Sequence, residues 1–562
     1  MKHFASPFRL LILFVFVAYS YSVRSQQLDN IRNEKPVTFH GSMGANFIGY
    51  NSSGIEDRMN PFMMVFTGNA TLSVYGINMP FSFRFSDKKA AYTQPFNQFG
   101  LSPSYKWLTV HGGYRNVRFS DFTLAGHTFL GGGIELNPGK FRFGAIYGRF
   151  KRSTGLYENE QDTVQSFTRK GYAIKLGVGS KKNYVDWIVL NIRDDSLSLI
   201  PKAGAPYVAP EQNIVSGFNS LFTLSKSLTF EAEIAASLYT TDATIPAFGD
   251  AENEPALDKL NKLITINESS ELTTAARTSL NYKSKKFNLR AEYRRIDPKY
   301  KSMGAYYFND DMENFTLAPS FPMFKRKLYV RGSIGLQHDN LRNTKKATTT
   351  RTISSANLSF NPVPVFGIDL NYSNYSNNQK AGRLPLIDTL KLYQTTSNLS
   401  ITPRLMFTGA KMNHMVLFMF NRSGLNDKNA ATADYSELTA TIMNLNYNLG
   451  FNESMLGIDL GLNHTLLDNF AGQNKISGVT AGITKGWLKG AVNAGFSNSI
   501  MKTDYNNEKG WLYNHQVNGS YRINQHHNLR LSLYLTRQQY PEGSVSTGFN
   551  EFKGDLNYAY TF

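Results

Sequence analysis

The last twelve residues, from Glu551 to Phe562, constrain what this chain can become more than any other stretch. Successive side chains of an extended strand point to opposite faces, so Leu556, Tyr558, Tyr560 and Phe562 share one face and Asp555, Asn557, Ala559 and Thr561 the other. One face suits lipid and the other suits water. The pattern recurs upstream. Phe287, Leu289, Ala291 and Tyr293 alternate with Asn288, Arg290, Glu292 and Arg294, and Leu529, Leu531, Leu533 and Leu535 alternate with Asn528, Arg530, Ser532 and Thr536. Such a chain needs an all-β fold with two unlike faces, a sandwich or a barrel.

Tyr558, Tyr560 and Phe562 resemble the closing strand of bacterial outer-membrane β-barrels, where an aromatic terminal strand is read by the barrel-insertion machinery. The other end supports the resemblance. Lys2, His3 and Arg9 precede a short apolar run over residues 10–18, and Val23-Arg-Ser25 closes the segment, which predicts a secretory signal peptide over 1–25 cut after Ser25. The run is much shorter than the roughly 20 residues an uncleaved anchor needs. There is no Cys, so neither a lipid-anchored cysteine nor a disulfide frame is expected.

Composition narrows the choice further. Hydrophobic residues make up 41% of the chain and mean hydropathy is -0.34, and beyond the leader no apolar run approaches helix-spanning length. A β-barrel escapes that test, because only every second residue of its strands faces lipid. Aromatic content of 13%, with 31 Tyr, suits interfacial girdles. The leader holds three of the 60 Lys and Arg, leaving 57 against 42 carboxylates and a formal charge of +15. The basic residues are scattered rather than clustered, which argues against nucleic acid as a partner. Anionic headgroups of outer-membrane lipid and lipopolysaccharide, or anionic solutes in a lumen, are the expected use of the charge.

Turn-forming clusters punctuate the chain about every 40 residues: at 137–139, 180–183, 225–227, 284–286, 322–325, 361–364, 409–411, 449–450, 486–489 and 524–527. Longer polar segments, such as 153–169, 193–212, 241–269 and 297–314, fall between them. Short turns at one rim and long loops at the other are the signature of a membrane barrel. These turns predict 20 strands; the final strand and one over 104–115 make 22, and segments 37–50, 63–75 and 79–86 add two to four. The expectation is a single large transmembrane antiparallel β-barrel of about 24 strands (22–26) over 26–562, with 26–36 as a periplasmic lead and both ends in the periplasm.

The segment Tyr92-Thr-Gln-Pro-Phe-Asn-Gln-Phe-Gly-Leu-Ser-Pro-Ser-Tyr-Lys-Trp107 has a different texture, and with His111 to Asn116 and Leu124 to Gly133 it resembles uncharacterised outer-membrane β-barrels of Bacteroidota. That resemblance implies a location and no activity. Residues 92–104 are a candidate inward loop, weighed against an ordinary long turn. Barrel size also resembles TonB-dependent transporters, but the residues before Ser104 are too few and too strand-like for a separate plug.

The inward positions supply the candidate lumen residues: Arg142, Arg277, Arg290, Glu292, Arg294, Arg331, Asp369, Asp459, Arg522 and Arg530, with Glu231, Glu233 and Asp555 beside them. Such a mixture either sets a transverse field for solutes or closes into cross-lumen ion pairs. Asp310, Asp311 and Glu313 offer oxygen ligands of the kind calcium takes but lack a glycine-turned loop, so a solvated acidic tip is preferred. His127 has no serine nucleophile motif beside it, and His526-His527 reads as turn filler. Three Asp-Ser/Thr-aliphatic runs, at 162–164, 195–197 and 388–390, resemble Bacteroidota O-glycosylation sites. No enzyme, cofactor or metal is expected. The function classes are a channel for hydrophilic solutes, a non-conducting barrel that anchors envelope-complex subunits such as secretion or gliding machinery, and, least supported, an outer-membrane enzyme.

Overall fold

A computed structural model describes residues 36–74, 77–86, 98–154, 165–199, 207–248, 261–381, 391–506, 508–544 and 547–562. The leader over 1–25, nearly all of the 26–36 lead, residues 92–97 and the runs at 162–164 and 388–390 lie outside them.

One antiparallel sheet runs through the chain, each strand pairing with the next from Val37–Ser53 to Phe549–Thr561. The last strand then pairs with the first over Ser42↔Thr561 to Ser53↔Asn550, which closes the sheet on itself. Closure leaves no open edge to solvate, which is what allows a sheet to cross lipid. The terminal residue completes the seam: Phe562 N donates to Gly41 O at 3.0 Å, Gly41 N donates back to Phe562 O at 2.9 Å, and the Phe39 and Phe562 rings stack 4.3 Å apart.

The sheet has 27 strand segments, but Gln98–Leu101 and Ser104–Tyr105 both lie between Ile77–Ser86 and Leu108–Arg118. They are two halves of one broken strand, so the described residues form a wall of 26 strands, at the top of the expected range. Pro103 has no N–H to give the ladder and sits at the break; its carbonyl still accepts from Val110 N at 2.9 Å. Three expectations are corrected here. Residues 98–101 and 104 belong to the wall rather than to an inward loop. The strand expected over 104–115 is interrupted by a turn at Lys106, which adopts φ 51°, and Trp107. The turn expected at 449–450 lies further on, because Leu438–Phe451 continues as strand and Asn452 to Met455 make the reversal. The remaining turns fall at or within two residues of their expected places. Several strands reach 16 or 17 residues, as in Val37–Ser53 and Ala347–Val363. Strands of roughly 9–11 residues suffice for the hydrocarbon layer, so the wall projects beyond it.

Pairing fixes the two faces. Phe66, Leu176, Trp187, Phe218, Ile234, Leu336, Leu462 and Leu531 face outward and are exposed, forming the apolar outside. Two ambiguous registers resolve: Asp186 faces in and Trp187 out, and Met415, Leu417 and Met419 face in while Val416, Phe418 and Phe420 face out. One inner row is all glycine across five neighbouring strands, Gly100↔Gly113, Gly113↔Gly131, Gly131↔Gly148 and Gly148↔Gly171. A Cβ on Gly131 would strike the Tyr147 carbonyl, and one on Gly148 would sit 2.7 Å from the Leu130 carbonyl oxygen. Only glycine lets the wall curve this tightly toward its concave side.

Two outcomes test the seam and the facing. Deleting Phe562, or replacing Tyr558 and Tyr560 with Asp, is expected to abolish heat-modifiable barrel on gels; normal levels would refute the seam. Leu531→Arg is expected to cost roughly 2–4 kcal/mol on the lipid face, while Ser532→Arg is tolerated, as read by urea unfolding in lipid vesicles.

Candidate functional site: a half-filled lumen

Two connections at the long-loop rim turn into the barrel. Residues 119–124 follow Leu108–Arg118, and residues 297–311 follow Asn288–Ile296. Phe122 and Leu124 are fully buried, as are Phe129, Phe150, Ile188, Leu190, Ile192, Val215 and Ile296 on the surrounding inner wall, with Tyr300 and Met303 from the second connection completing the cluster. The wedge so formed is a hydrophobic core inside a membrane barrel. Each buried large apolar side chain contributes roughly 1.5–3 kcal/mol.

Buried backbone needs partners, and the wall supplies them. Phe122 N donates to Glu233 Oε1 at 2.7 Å. Tyr300 OH donates to Phe122 O and Ser302 Oγ to Thr123 O, both at 2.6 Å. Asn213 accepts from Met303 N at 2.9 Å, and Ser237 Oγ donates to Lys301 O at 2.6 Å. Tyr300 meets Phe308 edge-on at 5.2 Å. A segment bolted this way is a fixed filling, not a swinging gate.

All ten candidate lumen residues lie on the inner face by strand pairing, in distinct settings. Arg142 holds Asp186 with two hydrogen bonds of 2.6 and 2.7 Å. Arg277 bridges Asp121 of the wedge at 2.5 Å and Glu233 at 3.2 Å. Arg290 pairs with Glu292 at 2.6 Å, and Arg294 lies over the Phe122 ring at 5.7 Å. Asp369 pairs with Arg404, and Asp459 accepts from Asn448. Arg331, Arg522 and Arg530 are exposed to the lumen, Arg530 beside Lys553 and Asp555. The structure brings Arg277, Glu233 and Arg294 together at the wedge, sets Arg290 between Glu231 and Glu292, and spreads the rest round the wall. Arg169, which binds Asp194 at 2.7 Å and Glu211 at 2.6 Å, and Arg404 belong to the same class and were not anticipated. The inward alternation Arg169, Gly171, Ala173, Lys175 was the available signal for the first.

Above the wedge lies a cavity of about 870 Å3, lined by Tyr306, Tyr307, Lys299, Glu268 and Glu271 among others. His127 lines it too, its ring stacked on Tyr306 at 4.2 Å, an aromatic support rather than a base. The acidic trio is divided. Asp310 accepts from Lys299 N, Glu313 faces His338 at 3.3 Å, and Asp311 is buried, accepting from Asn340 N at 3.1 Å and Leu341 N at 2.9 Å beside Lys345. Burial works against the Asp311 carboxylate, but Lys345 and the two N–H groups outweigh it and hold its pKa below the usual range. Asp311 is therefore an anchor for the 340–345 turn rather than a solvated tip, and among the described residues no group of three acidic or histidine side chains could hold a metal ion.

From residue 347 onward the inner wall changes character. Ser355, Asn357, Asn371, Ser373, Asn398, Ser400, Asn421, Asn444 and Asn446 succeed one another across neighbouring strands. Further round, Ser497, Ser499, Asn514, Gln516 and Asn518 do the same. Much of this half is a surface of neutral amides and hydroxyls, interrupted by the inward Met415, Leu417 and Met419 and by scattered charges such as Asp369, Asp459 and Arg530.

No family model matches the chain, and no curated protein matches its sequence. Solved structures similar to it include OccAB2 of Acinetobacter baumannii (TM-score 0.30, 9% identity, 63% of this chain and 92% of that one) and Pseudomonas aeruginosa OpdK with vanillate (0.31, 10%, 63% and 93%). The translocation pore of the P pilus usher PapC is a third (0.36, 9%, 93% and 99%). At these scores the likeness adds nothing to what the strand pairing shows.

Phe122→Ala is expected to cost about 3–5 kcal/mol within the wedge. Trypsin cleavage after Lys299 and Lys301 should accelerate while the barrel itself stays folded; unchanged cleavage would mean the wedge does not rest on Phe122.

Proposed function

We propose that the chain is an outer-membrane channel that passes hydrophilic solutes along the unfilled half of its lumen, with tight turns in the periplasm and long loops outside. The observation that carries this reading is the contrast between the halves of the inner wall. The wedge side is sealed by an apolar core, whereas the wall from residue 347 to the end offers amides and hydroxyls that exchange hydrogen bonds with water and polar solutes at little cost. Ion pairing reduces the field expected across the lumen, since Arg142, Arg277, Arg290 and Arg404 each face a carboxylate, while Arg331, Arg522 and Arg530 stay exposed to it. Such a path discriminates by size and polarity more than by charge.

The purified protein is expected to conduct in planar bilayers with weak ion selectivity. Asn444→Asp with Asn446→Asp should turn it cation-selective, and replacing 299–308 with a short Gly-Ser link should raise conductance. Silence of both the native protein and the loop replacement, with the fold verified, would refute the channel. It would favour the second reading, an interaction barrel, for which the inward Met415, Leu417 and Met419 supply an apolar patch that a partner segment would cover.

A further inference from the structure

Near the tight-turn rim, on the inner face, three side chains from consecutive parts of the wall form a relay. Ser102 Oγ lies 2.8 Å from His111 Nδ1, and His111 Nε2 lies 3.2 Å from Glu135 Oε1. Ser102 sits at the break between Gln98–Leu101 and Ser104–Tyr105, outside the regular ladder, and is partly exposed. His111 comes from Leu108–Arg118 and is nearly buried, and Glu135 comes from Ala125–Leu136. The other carboxylate oxygen of Glu135 is held by the buried Lys175 Nζ at 3.1 Å, so the carboxylate is fixed at both ends.

We infer that Ser102 is a nucleophile activated by His111, and that the lumen wall carries a serine esterase site acting on esters of hydrophilic alcohols. The roles follow from the bonds. Nε2–H donates to the Glu135 carboxylate, which leaves the Nδ1 lone pair to accept Ser102 Oγ–H; nucleophile, base and orienting carboxylate stand in the required order, with the imidazole used the other way round from the commonest triads. Arg115 supplies the positive charge beside them. Its guanidinium donates to Ser82 Oγ at 3.3 Å and to Pro80 O at 3.2 Å, the carbonyl that also accepts from Ser102 N at 3.1 Å, and among the described residues its buried Nε has no hydrogen-bond partner. A cation held next to the nucleophile stabilises the oxyanion that attack creates.

The chemistry balances without a cofactor. Ser102 Oγ bonds to the ester carbonyl carbon as its proton passes to His111 Nδ1. The carbon–alkoxy bond breaks and the alcohol leaves with that proton. Water then attacks the acyl-serine, gives a proton to His111, and the acid departs as Oγ regains it. The substrate class rests on the channel reading proposed above, under which the lumen admits water-soluble molecules rather than lipid.

The test uses the full-length protein in detergent with a fluorophosphonate probe, which loses fluoride as Oγ bonds to phosphorus, and with p-nitrophenyl acetate. An adduct on Ser102 by mass spectrometry is expected, absent in Ser102→Ala and slowed by on the order of a hundredfold in His111→Gln. Glu135 positions the imidazole, so Glu135→Gln should slow labelling and Glu135→Asp should restore most of it. A folded native protein without an adduct at Ser102, equal labelling in His111→Gln, or p-nitrophenolate release equal to that of Ser102→Ala would each overturn the assignment. Conductance is measured on the same preparations, so failure of the channel reading and failure of the esterase site are read separately.

Discussion

A closed wall of 26 strands encloses more space than its inward side chains can fill, and the rest of the structure answers that constraint. Backbone closure between Val37–Ser53 and Phe549–Thr561 removes the sheet edges but does nothing for the interior. The interior is dealt with in two ways at once. Over one part of the circumference the chain folds its own loops inward and buries them as a soluble protein would. Over much of the remainder the described wall is lined with amides and hydroxyls, groups that water can satisfy.

The division explains where the charges sit. A guanidinium beside an apolar core loses hydration, so it must be paired or lie against an aromatic face. Arg277, bound by Asp121 and Glu233, and Arg294, over Phe122, obey that rule at the wedge. Glu233 links the two tasks, since it accepts from the Phe122 backbone and from Arg277 together. Away from the wedge, among the described residues, no apolar core packs against the wall, and Arg530 remains exposed beside Lys553 and Asp555.

Much of the wall was legible because its two faces differ in chemistry at period two. Leu531 against Ser532, or Tyr558 against Asn557, fixes facing from sequence alone, and Pro, Gly and Asn clusters locate most turns. The broken strand over 98–105 was not legible, because its Gln, Pro and aromatic residues show no alternation. The turn after Phe451 was misplaced because Leu449-Gly450 looks like a reversal while the strand pairing carries on past it. The wedge was hidden for a different reason. Tyr300 meets Phe122 across 178 positions, and no local pattern records that a polar-looking loop near Asp297 brings Tyr300, Met303 and Phe308 back into the barrel.

The same distinction bears on Ser102, His111 and Glu135. None sits in a sequence motif, and each alone is an ordinary inward polar residue. What joins them is register: Thr109 lies opposite Glu135, and His111 opposite Gly133, one inward step along the same pair of strands. The break at Pro103 takes Ser102 out of the regular pleat, where its hydroxyl meets the imidazole. A barrel wall is a favourable place for such a relay, because hydrogen-bonded strands hold side chains at fixed spacing with little freedom to drift. The glycine row beside it has the complementary effect, keeping side-chain bulk off the wall where Gly113 and Gly131 adjoin these residues. Rigid wall, interrupted strand and bare glycine floor are each explicable as barrel geometry alone; only their meeting around one hydroxyl gives the wall a chemical as well as a mechanical role.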